Sequence, residues 1–318
     1  RTVNSGVHWD CEHSTCGTWT KADAADYLTD PAVPPSDFSL PVRPVAACST
    51  RSNGKGGLIA DFGRERMGFV VFRDIAGSGR VKVIYGESEP EALCDGLSDD
   101  RVGKKTTSAD MWEYLDLSEA KEFRTACSRA FRFVNVVPIS GDVTVGGVSM
   151  LDEYCPLECR GSFRCDDPRV NRIWDVAVET MRLTSREFLI DGVKRDRWIW
   201  SGDAYQSCLM NYYLFGDREI VKRTIRALRG KDPIWRHINT IVDYTFYWFC
   251  MIGDYYAYTG DADFLRRIYP DMVTMMDFVE RRLRPDGLYE KRDNDWVFVD
   301  WAPEELENEK GPVAVEQM

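Results

Sequence analysis

Asp191-Gly192-Val193-Lys194-Arg195-Asp196-Arg197-Trp198-Ile199-Trp200-Ser201-Gly202-Asp203 packs three carboxylates, three cations and two tryptophans into thirteen residues. It falls between two stretches with helical periodicity. Ordering this much charge beside aromatic rings is costly unless the loop lines a polar site. Acids beside flat aromatic faces suit a sugar-cleaving pocket, where a carboxylic acid protonates a glycosidic oxygen and a ring covers the sugar. The same stretch also reads as an ion-paired surface loop with two core tryptophans, because charge runs are commonly solvated. Composition leaves both readings open.

At 318 residues the chain suits two domains. Its net charge of −11 argues against a nucleic-acid partner, which would want basic surface. No apolar run approaches the roughly 20 residues of a transmembrane helix. The sequence opens at Arg1 without a secretory pattern, which reads as a cut or processed end and leaves export and cytoplasmic residence both open. Cys11 and Cys16 are spaced for a small disulfide loop, and Cys155, Cys159 and Cys165 cluster. None forms the paired arms of a zinc site, so neither metal nor cofactor is expected. Cys208 and Cys250 fall on apolar helical faces.

Working outward, residues 1–56 carry Pro31, Pro34, Pro35, Pro41 and Pro44 and read as extended, irregular chain. From 57 to about 150 the pattern is strand-like: Leu58–Phe62, Gly68–Phe72, Val81–Glu87, Met111–Leu117, Phe131–Val137 and Val143–Met150. Short strands separated by turns predict an antiparallel β-sandwich. Near 165 the period changes. Asp166 or Asp167 can cap a helix whose first turn holds Pro168. Val170, Ile173, Trp174, Ala177 and Met181 then form an apolar stripe predicted to be buried. Further helices are expected at about 204–215, 217–229, 240–258 and 261–283, with Gly216-Asp217 and Thr259-Gly260-Asp261 as tight turns. Short loops between successive helices imply antiparallel hairpins.

At this point the chain resembles the α-L-rhamnosidase glycoside hydrolases. Asp61-Phe62-Gly63 through Gly68, then Val83-Ile84-Tyr85-Gly86-Glu87, is similar to the β-sandwich that precedes that family's catalytic barrel. Ser162-Phe163-Arg164-Cys165-Asp166-Asp167-Pro168 resembles the entry to its first barrel helix, and Asp191–Asp203 its acidic loop. Tyr258-Thr259-Gly260-Asp261 and Asp300-Trp301 are further similar stretches. The resemblance covers roughly 57–318 and implies a multi-domain β plus α chain. Its parts would be an irregular segment at 1–56, an antiparallel β-sandwich at 57–160 and part of an (α/α)6 six-hairpin barrel at 161–318.

Carried over residue by residue, the resemblance makes Asp196 the general acid, where many relatives have Glu. Asp191 and Asp203 would bind sugar hydroxyls, and Trp200, Asp300 and Trp301 would line the pocket. Arg195 is expected to pair with Asp191 or Asp203, leaving Asp196 to the substrate. The family inverts the anomeric centre without metal, using a Glu late in the barrel as base. Only about five helices fit between 166 and 318, where six hairpins need about twelve. A C-terminally truncated chain is therefore expected, whose barrel a missing part or a second chain would complete. Glu304, Glu305 and Glu316 are available acids, but none matches the family's base.

Other candidates come from the residues alone. His237 could touch substrate or be a loop or cap histidine. Asp243 could be a pocket acid or a first-turn residue favoured by the helix dipole. Tyr244, Phe246, Tyr247, Trp248 and Phe249 offer sugar-stacking faces, though at helical spacing most read as core, as do Tyr212 and Tyr213. The functional expectation is an inverting hydrolase of terminal α-L-rhamnose or a similar sugar. The alternatives are a non-catalytic carbohydrate-binding or assembly fragment, and a barrel hydrolase or lyase for another sugar.

Overall fold

The computed structural model describes residues 37–94, 112–194, 196–287, 289 and 295. The chain divides into two compact units. Among described residues, the first comprises Ser39–Cys155 and Gly192–Arg197, and the second Asp37, Phe38, Pro156–Asp191 and Trp198 onward.

The first unit is a six-stranded antiparallel sheet of β1 (Val42–Ala46), β2 (Ser49–Ser52), β3 (Leu58–Gly86), β4 (Trp112–Arg124), β5 (Arg129–Gly141) and β6 (Thr144–Glu153). β3 runs through what the sequence divides into three strands. It curls far enough to pair with β5 twice: Val136 faces Leu58 on one side and Val83 on the other, and Val134 faces Ala60 and Tyr85. Between these ends β3 pairs with β6 and β4. Where a two-sheet sandwich is expected, the hydrogen bonding thus forms one curled sheet. Gly68 marks a tight passage, since a Cβ there would lie 2.1 Å from the Leu151 carbonyl oxygen. The concave face buries Val70, Phe72, Val81, Val83, Tyr85, Phe131 and Val134. Phe62 and Phe131 meet edge to face at 5.5 Å.

Two departures from the sequence reading have simple causes. β1 and β2 lie in the stretch read as irregular chain: they are short and mostly exposed, so no apolar periodicity announces them. In Val81–Glu87 the sequence alternates apolar and polar residues over much of its length, the mark of a half-buried strand, but Ile84 is buried like its neighbours Val83 and Tyr85. Helix α1 (Glu89–Leu93) adds apolar cover on this side of the sheet, where Ala92 packs with Ile59 and Phe133.

The second unit contains α2 (Pro168–Thr184), α3 (Ser201–Leu214), α4 (Arg218–Arg229), α5 (Val242–Thr259) and α6 (Ala262–Glu280). The expected caps are in place. Asp167 accepts from the Arg169 N–H, Asp217 from Ile220 and Asp261 from Phe264. Gly216 and Gly260 take left-handed φ of 63° and 67° between paired helices. α4 buries Ile220, Val221 and Ile225, and α5 buries Trp248, whose indole N–H donates to the Ile225 carbonyl at 2.8 Å.

The N-terminal ends of α3 and α5 meet where Tyr244 reaches Asp203, and their C-terminal ends where the Tyr213 and Tyr258 hydroxyls lie 2.9 Å apart. The two helices therefore run parallel, as up-down-up connection through α4 requires. On α2 the apolar stripe is not buried as predicted. Ile173 is 67% and Val170 39% exposed, and only Val178 and Met181 of the helix are buried. The buried residues of α2 lie in its C-terminal half, while in its first half Trp174 packs on Phe163 at 5.6 Å.

Candidate active site

The acidic loop is divided between the units. Asp191 and Trp198 close its base within the second unit: the Asp191 N–H donates to the Trp198 carbonyl at 3.0 Å, and the Trp198 N–H to Asp191 Oδ1 at 2.8 Å. One oxygen of Asp191 is thus committed to holding the loop closed. The strap between them, Gly192–Arg197, belongs to the first unit. There Arg197, at a left-handed φ of 49°, donates to the Ser128 carbonyl at 2.8 Å. Lys194 pairs with Glu91 and lies 3.4 Å from Glu87. Asp196, the proposed acid, sits half-buried between these two anchors.

In the second unit, the parallel run of α3 and α5 brings two helix N-termini together. Asn239 joins them: its Oδ1 accepts from the Ser201 N–H and its Nδ2 donates to the Ile199 carbonyl, each at 3.0 Å. Asn239 and Thr240 hold φ of 53° and 65°, a conformation uncommon outside glycine. Asp203 lies in the first turn of α3 and Asp243 in that of α5, where the helix dipole favours negative charge. Burial pushes the Asp243 carboxyl above its usual range, partly offset by the backbone N–H groups of Asp243 and Tyr244. The Tyr244 hydroxyl donates to Asp203 Oδ2 across 3.4 Å, and Trp200 meets the Tyr244 ring edge-on at 6.2 Å. Burial, then the Asp203 charge, raises the Tyr244 phenol, so it remains a donor at neutral pH. Tyr205 stacks on Tyr247 close by. Exposed Asp203, half-buried Asp243 and partly open aromatic rings can take sugar hydroxyls and a sugar face.

His237 is placed differently from what substrate contact would require. It is 1% exposed and both ring nitrogens are engaged. Nδ1 lies 2.9 Å from Thr245 Oγ1 and Nε2 lies 2.7 Å from the Tyr289 hydroxyl. The Ile238 N–H donates to Thr245 Oγ1, and the Tyr289 hydroxyl donates to Asp295. Tyr289 must then accept from His237 Nε2–H, leaving Nδ1 to accept from Thr245. Burial pushes the imidazole down to about 4, outweighing the nearby Asp295 charge, so His237 is neutral at pH 7. Its role here is that of a core hub. Trp248 is likewise core, as expected. Arg195, Asp300 and Trp301, with Glu304, Glu305, Glu316, Cys11 and Cys16, lie outside the described residues.

The sequence model described as the bacterial alpha-L-rhamnosidase 6 hairpin glycosidase domain matches residues 158–316, half of the chain. The chain belongs to this rhamnosidase family. The α2–α6 helices and the Asp191–Asp203 loop fall inside the match. A second model, of the alpha-rhamnosidase-like N-terminal domain of bacteroidetes, matches residues 4–136. No curated protein sequence matches the chain.

Among solved structures, a GH78 family rhamnosidase of Bacillus sp. GL1 is 24% identical with a TM-score of 0.64, covering 79% of this chain and 26% of that one. A rhamnosidase from Klebsiella oxytoca with rhamnose bound is 21% identical with a TM-score of 0.63, covering 81% and 54%. A Streptomyces avermitilis alpha-L-rhamnosidase complexed with L-rhamnose is 17% identical with a TM-score of 0.58, covering 83% and 27%. At these identities the likeness is one of fold. The rhamnosidase-family chain spans between 26% and 54% of these proteins' length.

Three features of the family member's loop and its surroundings escape sequence reasoning. Asn239 gives one signal, as an asparagine just before a helix, the residue type that best tolerates left-handed backbone. Tyr244 is hidden among five aromatic candidates in the six residues 244–249. Glu87 and Glu91 lie about 100 residues from the Lys194 they hold, so only the fold reveals them.

Proposed function

We propose that the chain carries the acid side of an inverting α-L-rhamnosidase site, acting on terminal α-L-rhamnose or a similar sugar in glycosides or glycans. Asp196 is the general acid. Asp191 and Asp203 receive sugar hydroxyls, with Arg195, Asp243, Trp200, Asp300 and Trp301 completing the pocket. The observation that carries this reading is the acidic loop itself. It falls inside the family match, with Asp196 on the anchored strap, Asp191 at the loop's base and Asp203 in the first turn of α3. In the same proposal the curled sheet corresponds to the family's β-sandwich, with domain limits at 57–160 and 161–318.

Inversion needs a second carboxylate roughly 6.5–9.5 Å from the acid, with room for a water. Glu304, Glu305, Glu316 or a carboxylate supplied from outside these 318 residues would fill that role. The test is an aryl α-L-rhamnoside assay of the active protein with the product anomer followed by NMR. β-L-Rhamnose as first product supports inversion. In Asp196→Asn, hydrolysis of an unactivated rhamnoside should fall by about 10²–10⁴-fold. Near-wild-type rates there would sink the acid assignment, and sugar binding without any product would favour a carbohydrate-binding fragment.

A further inference from the structure

Glu65 lies where β3 breaks register with β5, in the residues inserted between the Asp61 and Arg66 pairings. Gly63, at φ 78° with its N–H donating to Asp61 Oδ1, makes the turn. The bulge sends the Glu65 side chain partly inward, where Oε1 is buried and has no hydrogen-bond partner among described residues. The charged groups bearing on it come from three elements: Glu87 at the end of β3, Glu91 on α1, and Lys194 on the strap. Glu91 is itself held, one oxygen accepting from the Glu87 N–H at 3.0 Å and the other from Lys194. Neighbouring Glu89 is occupied by Arg51.

We propose that Glu65, Glu87 and Glu91 form a carboxylate cradle that positions Asp196 by gripping Lys194, two residues before it, and that Glu65 is the adjustable member. The proposal rests on the reading of Asp196 as the acid. Lys194 is one of two anchors of the Gly192–Arg197 strap, the other being Arg197 on Ser128. Burial pulls the Lys194 ammonium down, but its pairing with Glu91 and Glu87 outweighs this and keeps it charged. With Glu65 protonated, two carboxylates share one ammonium. With Glu65 ionised, a third competes for it and repels the other two.

Burial, reinforced by Glu87, pushes Glu65 up to about 7 against the pull of Lys194. The folded-state value lies above the unfolded 4.5. The native state therefore holds a proton that the unfolded chain has released. This contribution is complete below pH 4.5 and is lost as pH rises through about 7. The strap should then be firm in mild acid, where a general acid must stay protonated, and looser in base.

The test uses the active protein and three variants: Glu65→Gln, which is permanently neutral, Lys194→Met, and Lys194→Arg as the conservative rescue. Amide hydrogen exchange of the 191–198 peptide, corrected for intrinsic rates, should lose protection about threefold or more between pH 6 and 8 in the wild type. In Glu65→Gln protection should stay high across that range, and the alkaline limb of the kcat/KM profile should move up with KM little changed. Lys194→Met should be loose at every pH and Lys194→Arg restored. Identical, flat protection in wild type and Glu65→Gln would overturn the cradle. Repeating the exchange in Asp196→Asn separates the two claims. A protection step that persists there supports the cradle whatever Asp196 does, whereas normal activity in Asp196→Asn refutes only the acid assignment.

Discussion

Two polar networks flank the start of α5, and they are built on opposite principles. His237, Thr245, Tyr289 and Asp295 form a closed chain, buried at its centre, in which each donor has one acceptor at 2.5–2.9 Å. Asp203, Asp243, Trp200 and Tyr244 form an open group: Asp203 is exposed and its bond from Tyr244 spans 3.4 Å. A closed network has spent its hydrogen-bonding capacity on the fold. An open one keeps an exposed carboxylate and partly exposed ring faces where a ligand can reach them. Both contain residues that looked like site candidates in the sequence, so residue type alone does not separate them.

Substitutions in the open group should therefore damage activity and spare stability, and substitutions in the closed chain should do the reverse. The largest effect is expected at Asp203. Asp203→Asn removes a charged acceptor whose bonds to a sugar hydroxyl strengthen in the transition state. That should cost several kcal/mol, or about 10²–10³-fold in kcat/KM. The melting temperature should hold within a few degrees. A folded Asp203→Asn protein with full activity would place Asp203 outside the pocket.

His237 should show the reverse pattern. Its folded pKa, about 4, lies below the unfolded 6.5, so the stability it contributes is present above pH 6.5 and lost as pH falls through 4. The fall should be on the order of 3 kcal/mol, measured as the urea midpoint at successive pH values. His237→Phe should lower stability at pH 7 and flatten this acid slope. An unchanged slope would mean other groups dominate acid unfolding. Asn239 should give the next effect. Asn239→Ala loses two hydrogen bonds and puts a Cβ without polar compensation at left-handed φ, together costing about 2–3 kcal/mol. Asn239→Gly loses the bonds but not the conformation, so it should recover about 1 kcal/mol of that.

What could be read beforehand follows the range of the forces involved. The helices of the second unit were legible because their signals are local: Asp217 and Asp261 cap, Gly216 and Gly260 terminate, and Val221, Ile225 and Leu228 keep one face apolar. The curl of β3 was not, because it depends on which distant strand each segment finds, and Val136 meets both Leu58 and Val83. The acidic loop fits, by composition, both a sugar pocket and an ion-paired surface loop. Its division into a strap held by Glu91 and a base closed by Asp191 and Trp198 depends on contacts across roughly 100 residues in one case and seven in the other. His237 reads in the sequence as either a substrate contact or a loop or cap histidine for the same reason: its partners Tyr289 and Asp295 are more than 50 residues away.

Tyr244 supplies the smallest and most discriminating effect. Its hydroxyl donates to Asp203 over 3.4 Å, longer than a good hydrogen bond, so the bond itself should be worth little. Tyr244→Phe keeps the ring that Trp200 meets and removes only the donor. If the hydroxyl merely orients Asp203, kcat/KM should fall no more than about fivefold, under about 1 kcal/mol, mostly through KM. A larger loss carried by kcat would mean that the phenol touches the reacting sugar directly. Because burial and the Asp203 charge raise its pKa, that phenol stays a donor through neutral and mildly basic pH. The Tyr244→Phe effect should therefore be constant from pH 5 to 8. A pH-dependent effect would implicate the titration of Asp243, whose carboxyl burial pushes upward beside Tyr244, and would draw that residue into the open group by measurement as well as by position.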